Sequence, residues 1–452
     1  MSITVKQNHN KRQLERIIEL LAKDSMYEVR NFIHSIYPAE TAHIIESLEP
    51  AAREKIWSVI PPNVMGEILV RLHVEVASNL IRVTDRKDLI KATENLESDD
   101  MVDLLHSLPE PLLSQVFESI AVAERNRLES ALSYDDNSAG GIMSLDVLTV
   151  RADVSLDVVL RYLRKRGDLP TATDSLIVTD RNNNYQGLLA VSSLLTKDGH
   201  LKVSDIMSSD VEGIPYQMPA SEVALLFEQR NMLSAPVLSE TGRLLGRITI
   251  DDVINIIRDE EGHSLMSRVG LDEEQDMFAP VAVSAKRRAV WLGINLFTAF
   301  LAAWVIGIFE ATIDQIVALA VLMPIVASMG GIAGSQTLTL VIRGLALKQV
   351  SGANAGKLLV KEMAIGVVNG VLWACVVAII AGLWFQSVSL GALLGSAMII
   401  NLICAAFAGA TIPLALDKVG IDPALAGGVL LTTVTDVVGF MAFLGLATIF
   451  LL

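Results

Sequence analysis

Five stretches of this chain, at about 289–309, 316–340, 364–385, 390–416 and 424–451, are apolar almost throughout. Each runs for roughly 20 residues or more, the length a helix needs to cross a bilayer. Ahead of them the pattern changes. From about residue 13 to 132, apolar positions recur at helical spacing in short segments such as 39–48, 51–60 and 99–108. Glu49-Pro50, Pro61-Pro62 and Pro109 punctuate them, and prolines are expected to end helices there. Short helices joined by brief breaks predict a superhelix, a scaffold that suits docking.

A duplication follows. Ile142-Met143-Ser144-Leu145-Asp146-Val147 is echoed by Ile206-Met207-Ser208-Ser209-Asp210-Val211. Each copy continues with an amphipathic helix (155–165; 220–231), a strand (176–178; 235–238), a polar turn and a second strand (185–189; 243–249). A last helix starts at Val191 in one copy and at Asp251 in the other. This doubled β-α-β-β-α order resembles a tandem pair of CBS modules, and the resemblance implies ligand sensing, often of adenine nucleotides. In the second copy Thr249 stands three residues before Asp252, a hydroxyl and a carboxylate of the kind that grips ribose, so ATP is the cofactor expected there. The alternative for this turn is a carboxylate that simply caps the helix, as acidic residues do well.

Composition sharpens the division. The chain is 52% hydrophobic, yet it holds 36 basic and 51 acidic residues. From Lys286 onward there are only eight basic and six acidic ones, so the first 285 residues carry the other 28 and 45, a net charge of −17. Such an excess argues against a nucleic-acid partner, whose phosphates would be repelled. It suits multivalent cations. Carboxylates gather where the second module meets the membrane half: Asp251, Asp252, Asp259, Glu260 and Glu261, then Asp272, Glu273, Glu274 and Asp276. A hard divalent ion with oxygen ligands would relieve their repulsion, which makes this region a candidate regulatory metal site; the alternative is a solvated charged linker. Cys375 and Cys404 both lie in apolar stretches, so no disulfide is indicated. No apolar leader precedes the polar start, and the soluble half is expected to stay where it is made. All eight basic residues of the membrane half flank loops on one side, whereas the loops at 310–315 and 386–389 have none. The positive-inside rule then places the acidic body in the cytoplasm and the C-terminus in the periplasm of an inner membrane.

One ionisable side chain stands deep in a span: Asp436, within Leu431-Thr432-Thr433-Val434-Thr435-Asp436. Burying a charge there costs about 3 kcal/mol on insertion scales, so it calls for a partner, water or a function. No Lys or Arg in the spans can pair with it, and a cation is the simplest partner. Mg²⁺, which keeps its waters and needs few carboxylates, fits a single Asp flanked by Thr432 and Thr433. One Asp per chain suggests a homodimer with both copies facing one ion. Glu310 and Asp314 are candidate entry carboxylates on the far side. Gly352-Ala353-Asn354-Ala355-Gly356-Lys357 is one residue short of a phosphate loop and lacks the following hydroxyl, so no ATPase is expected. Nor is an enzyme of another kind, for lack of a nucleophile–base pair or a Cys/His cluster.

Together these parts resemble the MgtE family of magnesium channels and transporters. The likeness rests on Met323-Pro324-Ile325-Val326-Ala327-Ser328-Met329-Gly330-Gly331 through Gln336, on Val341-Ile342-Arg343-Gly344-Leu345-Ala346, and on Asp422-Pro423-Ala424 with Thr432, Thr433 and Asp436. It implies a homodimeric pore with its ion site at Asp436 and a linker helix that acts as a plug sensed by cytosolic Mg²⁺. Ile332 and Ser335 stand where the family commonly has Asn, and Asn255, Arg258 and His263 interrupt the acidic linker. The fold expected is a multidomain α-helical membrane protein: a superhelix (1–135), two CBS modules (136–200 and 201–253), a linker or plug helix (254–285) and a five-helix transmembrane domain (286–452). The function expected is gated Mg²⁺ uptake down the electrochemical gradient. The alternatives are a broader Co²⁺ or Mn²⁺ path and a CBS-based membrane sensor that conducts nothing.

Overall fold

The computed structural model describes residues 3–94, 96–108, 110–120, 122–267, 270–271 and 276–452. It divides into two compact units, 1–261 with 274–279, and 262–273 with 280–452.

The first unit opens with short helices: α1 (Ile3–Ala22), α2 (Met26–Ile33), α3 (Pro38–Glu46), α4 (Pro50–Trp57), α5 (Pro62–Leu69), α6 (Val74–Val83), α7 (Arg86–Thr93), α8 (Ser98–His106), α9 (Glu110–Ser119) and α10 (Val122–Ala131). Pro38, Pro50 and Pro62 begin helices instead of ending them. In a first turn the missing N–H has no partner to lose and the fixed φ suits the helix. Apolar side chains from these helices, among them Ile45, Ile56, Ile68, Leu80 and Leu105, share one core with Met143, Val223, Phe227 and Ile248 of the modules.

The modules repeat one plan: β1 (Thr149–Val150), α11 (Leu156–Arg166), β2 (Ser175–Thr179), β3 (Tyr185–Ala190), α12 (Val191–Thr196) and α13 (Val203–Ile206), then β4 (Ile214–Pro215), α14 (Ala220–Arg230), β5 (Ser234–Leu238), β6 (Leu244–Thr249) and α15 (Ile250–Ser267). In each sheet a parallel pair is followed by an antiparallel one, with an irregularity at the same place, Val178/Thr179 and Val237/Leu238. The repeated Ile-Met-Ser segments are exchanged. Ser144 of the first copy bridges Arg247 of β6, and Ser208 of the second bridges Leu188 of β3. Glycine is required at both crossings, because a Cβ on Gly246 would lie 2.6 Å from Ser144 O and one on Gly187 2.5 Å from Ser208 O. The acidic linker is helical, as part of α15, through Ser267.

The second unit contains α16 (Val281–Ile308), α17 (Glu310–Gln315), α18 (Ala318–Ala346), α19 (Ala355–Trp384), α20 (Val388–Val419) and α21 (Pro423–Phe450). Among the described residues five of its helices are long and apolar enough to cross a membrane. They are the five expected, the first four extended into polar residues at one end or both. Pro324 and Pro413, prolines of the kind that break or kink a helix, lie inside continuous helices. In an apolar surround a broken helix would leave several backbone groups without partners, so losing one hydrogen bond is the smaller cost. The central helix is α20, packed against α18, α19 and α21 through Gly391, Gly395, Ala397, Ala405 and Gly409.

Candidate ion site and acidic cluster

Asp436 is carried by α21, whose start is set by Pro423 and by Asp422, which caps it by accepting from Ala424 N at 2.8 Å. Small residues fix how α21 lies on α18. A Cβ on Gly334 would fall 2.8 Å from Leu431, and one on Gly427 3.1 Å from Leu338. The two contacts define an antiparallel register, and that register places Asp436 level with Met329 and Gly330. Its neighbour Thr435 is wholly buried, while Asp436 itself is half-buried. Among the described residues it makes no hydrogen bond or ion pair.

The flanking hydroxyls have their protons committed. Thr432 Oγ1 donates to Gly428 O (2.9 Å) and Thr433 Oγ1 to Val429 O (2.7 Å). Each oxygen is left with lone pairs alone to offer. A carboxylate and hydroxyl acceptors match the outward-pointing hydrogens of water held on a cation. On α18 the stripe Gly331, Ile332, Ser335, Gln336 and Thr339 lines an open hollow of about 540 Å³. Glu310 and Asp314 are both exposed on α17, four residues apart and so on one face. A hydroxyl–hydroxyl bond of 2.8 Å between Thr312 and Thr448 ties that short helix to the end of α21.

Two buried polar residues of this unit were not anticipated. Glu362 is 4% exposed on α19 and accepts from Thr337 Oγ1 at 3.1 Å, with Lys361 Nζ 3.9 Å from its other oxygen. It lies on the face formed with Gly366, Gly370 and Ala374; the four-residue spacing of those glycines was the available signal. Asn401 on α20 is fully buried and donates to Val326 O at 2.8 Å. Near the end of α15, His263 Nε2 lies 3.1 Å from Oδ2 of the capping Asp422.

In the first unit Thr249 and Asp252 do come together. Thr249 N and Oγ1 donate to Asp252 Oδ2 at 2.9 and 2.8 Å, and the same hydroxyl lies 2.5 Å from Asp251 Oδ1. Asp251, Asp259 and Glu260 are exposed along α15. The side chain of Glu261, and Asp272, Glu273 and Glu274, lie outside the described residues. Among the described residues no three His, Cys, Asp or Glu side chains stand close enough to share one ion. What Asp252 meets instead is α8. Burial, opposed by hydrogen bonds from Thr249 and reinforced by Asp99 and Asp251, pushes Asp252 up to about 7. Burial and Asp99 push Asp100 up to about 6, and burial then Asp100 push Asp103 up to about 7. Asp99 is also raised, burial again first, and its Oδ1 is buried without a hydrogen-bond partner. Asp103 stands at the solvent-open edge of the group, where water screens repulsion, so the repulsion between the helices rests mainly on Asp99 and Asp252, with Asp100 pressed by Asp99 beside it.

Comparison with known proteins agrees with this layout. The family model for the MgtE intracellular N domain matches residues 36–137, that for the CBS domain matches 139–199 and 203–259, and the MgtE model, described as a divalent cation transporter, matches 323–446. The magnesium transporter MgtE of Bacillus subtilis is 27% identical over 96% of this chain and 97% of its own. That of Thermus thermophilus is 26% identical over the same shares. A solved structure described as the cytosolic domain of the Mg²⁺ channel MgtE in complex with ATP is 25% identical, covers 54% of this chain and 99% of that one, and has a TM-score of 0.49. Matched in order from helical domain to CBS pair to the membrane helix that carries Asp436, the chain belongs to the MgtE family of divalent cation transporters.

Proposed function

We propose that this protein carries Mg²⁺ into the cell across the inner membrane as a homodimer, with Asp436 of the two copies facing one hydrated ion. The observation that carries this reading is a mid-span carboxylate that, unlike the hydrogen-bonded Glu362, has no protein partner among the described residues and is flanked by hydroxyl oxygens that can only accept. The family membership and the magnesium transporters among its relatives support the choice of ion. Mg²⁺ dehydrates reluctantly and is usually held through its waters by one or two carboxylates. No chemical engine is required, because an inside-negative potential favours divalent entry by about 4.6 kcal/mol per 100 mV. We read the soluble body as cytoplasmic, from the eight basic residues on its side of the membrane, and the C-terminus as periplasmic.

The same reading makes the body a sensor. Asp252 faces Asp99 at a cost, with Asp100 beside it; these carboxylates do not close around one ion, and cytosolic Mg²⁺ would relieve the repulsion as a hydrated counterion. α15 runs from that group to His263 and Asp422, the cap of the Asp436 helix, and is the covalent route by which relief reaches the pore. Asp251, Asp259 and Glu260 lie on that route as exposed charges that raise the local cation concentration. Thr249 and Asp252 stand side by side, as a ribose grip would need and as a helix cap also would, and ATP is the nucleotide proposed for the second module.

Two outcomes test this. In proteoliposomes loaded with a Mg²⁺ indicator, uptake should rise with an imposed inside-negative potential and fall as internal Mg²⁺ rises into the millimolar range; uptake indifferent to internal Mg²⁺ would remove the sensor from the account. The second is a stability measurement. Carboxylates whose folded values lie above the unfolded one hold protons in the folded chain that the unfolded chain has released. Stability should therefore grow as pH falls through about 7 toward 6, and be lost as pH rises. Mg²⁺ replaces the proton in that role, so it should raise the Tm of the full chain in detergent more at pH 8 than at pH 6. An equal shift at both pH values would contradict the assignment.

A further inference from the structure

Asn401 is a costly residue where it stands. It is fully buried in α20, its Nδ2 donates to Val326 O at 2.8 Å, and its Oδ1 is buried with no hydrogen-bond partner. An unpaired acceptor of that kind costs on the order of 1–3 kcal/mol, so a bundle selected only for stability would carry an apolar residue here. The surroundings show what the amide does. A Cβ on Gly330 of α18 would fall 2.3 Å from Nδ2, and a Cβ on Gly439 of α21 would fall 2.7 Å from the same atom. The amide is thus wedged between two backbones that have no side chain to yield. Gly439 lies three residues beyond Asp436, on the same side of α21, and Gly330 is level with Asp436 across the register described above.

We propose that Asn401 is a positioning residue for Asp436: its amide, keyed to Val326 O and held between Gly330 and Gly439, sets the separation of α18 from α21 at the ion site and thereby the preference for Mg²⁺ over larger divalent ions. The proposal rests on the reading of Asp436 as the ion site. An ion recognised through its water shell is sorted by how far apart the acceptors stand, so a shift of α21 changes the ratio of ions carried and not merely their amount.

The test measures uptake of Mg²⁺, Mn²⁺ and Ca²⁺ into proteoliposomes by the full chain and by Asn401→Ala, Gly439→Ala and the double variant, with Asn401→Ser in place of Asn401→Ala should the latter not fold. Each single change should lower the Mg²⁺ to Ca²⁺ uptake ratio by about tenfold, a coupling of the size seen for residues in contact. The double variant should recover part of the loss, because truncating the amide vacates the space the new methyl enters. An unchanged ratio in a folded Asn401 variant, or losses that simply multiply in the double variant, would overturn the proposal. Asp436→Asn, run alongside, separates the two failures: if it conducts normally the ion site itself is wrong, and if it is silent while the Asn401 ratios are unmoved only the positioning role is lost.

Discussion

Replacing Asp436 with Asn should abolish Mg²⁺ uptake while leaving the protein folded. Among the described residues the side chain has no protein partner to strand, and removing a charge from an apolar span lowers the cost of the span by about 3 kcal/mol. The variant should therefore elute normally from a sizing column and melt no lower than the parent. Its transport has nothing to fall back on. An attraction of several kcal/mol between a divalent ion and a carboxylate one water away, taken at the screening usual near protein surfaces, corresponds to a loss of roughly 100-fold or more. Normal uptake by this variant would mean that the ion passes without Asp436, and absence of uptake by the parent would leave the chain as the non-conducting sensor that its CBS pair otherwise allows. Neutralising the exposed Glu310 and Asp314 should do far less, because outer charges steer ions at low salt and are screened at physiological salt.

Arg53→Ala should give the largest loss of stability in the soluble body, about 3–5 kcal/mol, the penalty for stranding one member of a buried ion pair. Arg53 and Asp276 are joined by two hydrogen bonds of 2.5 and 2.6 Å, with side chains 4% and 3% exposed. The guanidinium also donates to Ile45 O and Glu46 O, and Asp276 N donates to Glu75. The pair fastens the residues just before α16 to α3 and α4. At about 2–4 °C per kcal/mol for a domain of up to 250 residues, the melting transition should fall on the order of 10 °C; a fall of only a degree or two would mean the pair is wet. Burial opposes ionisation of Asp276, but the Arg53 hydrogen bonds outweigh it and hold the carboxyl below its usual range. Its stabilisation is therefore complete above the ordinary carboxylate range and is lost only as pH falls through that lowered value. This is the opposite sign to Asp252, so acidification from pH 8 to 6 should strengthen the α8–α15 meeting without loosening this one.

What could be read from residues alone follows the range of each interaction. The five spans, the doubled modules and Asp436 announce themselves through local pattern: a long apolar run, a repeated hexapeptide, one charge among hydrocarbons. The prolines of the superhelix misled because proline punctuates both ends of a helix, and only packing says which. Asn401 escaped because a neutral amide barely disturbs an apolar run, although its partners Gly330 and Gly439 stood in plain view. Glu362 escaped because the third span was begun at residue 364, past a helical turn that the structure adds. Asp99 with Asp252 and Arg53 with Asp276 are pairings across 153 and 223 residues of chain, which no local pattern encodes. The regulatory carboxylates were sought along one helix, whereas the repulsion that matters arises where two helices from different domains meet.

Anomalous diffraction from crystals of the full protein grown with Mn²⁺ in place of Mg²⁺ tests the central claim most directly. A single peak on the two-fold axis between the two copies, separated from both Asp436 carboxylates by a layer of water, is the predicted result. Density bound elsewhere, with Asp436 turned toward lipid or closed into a dry contact, would contradict it.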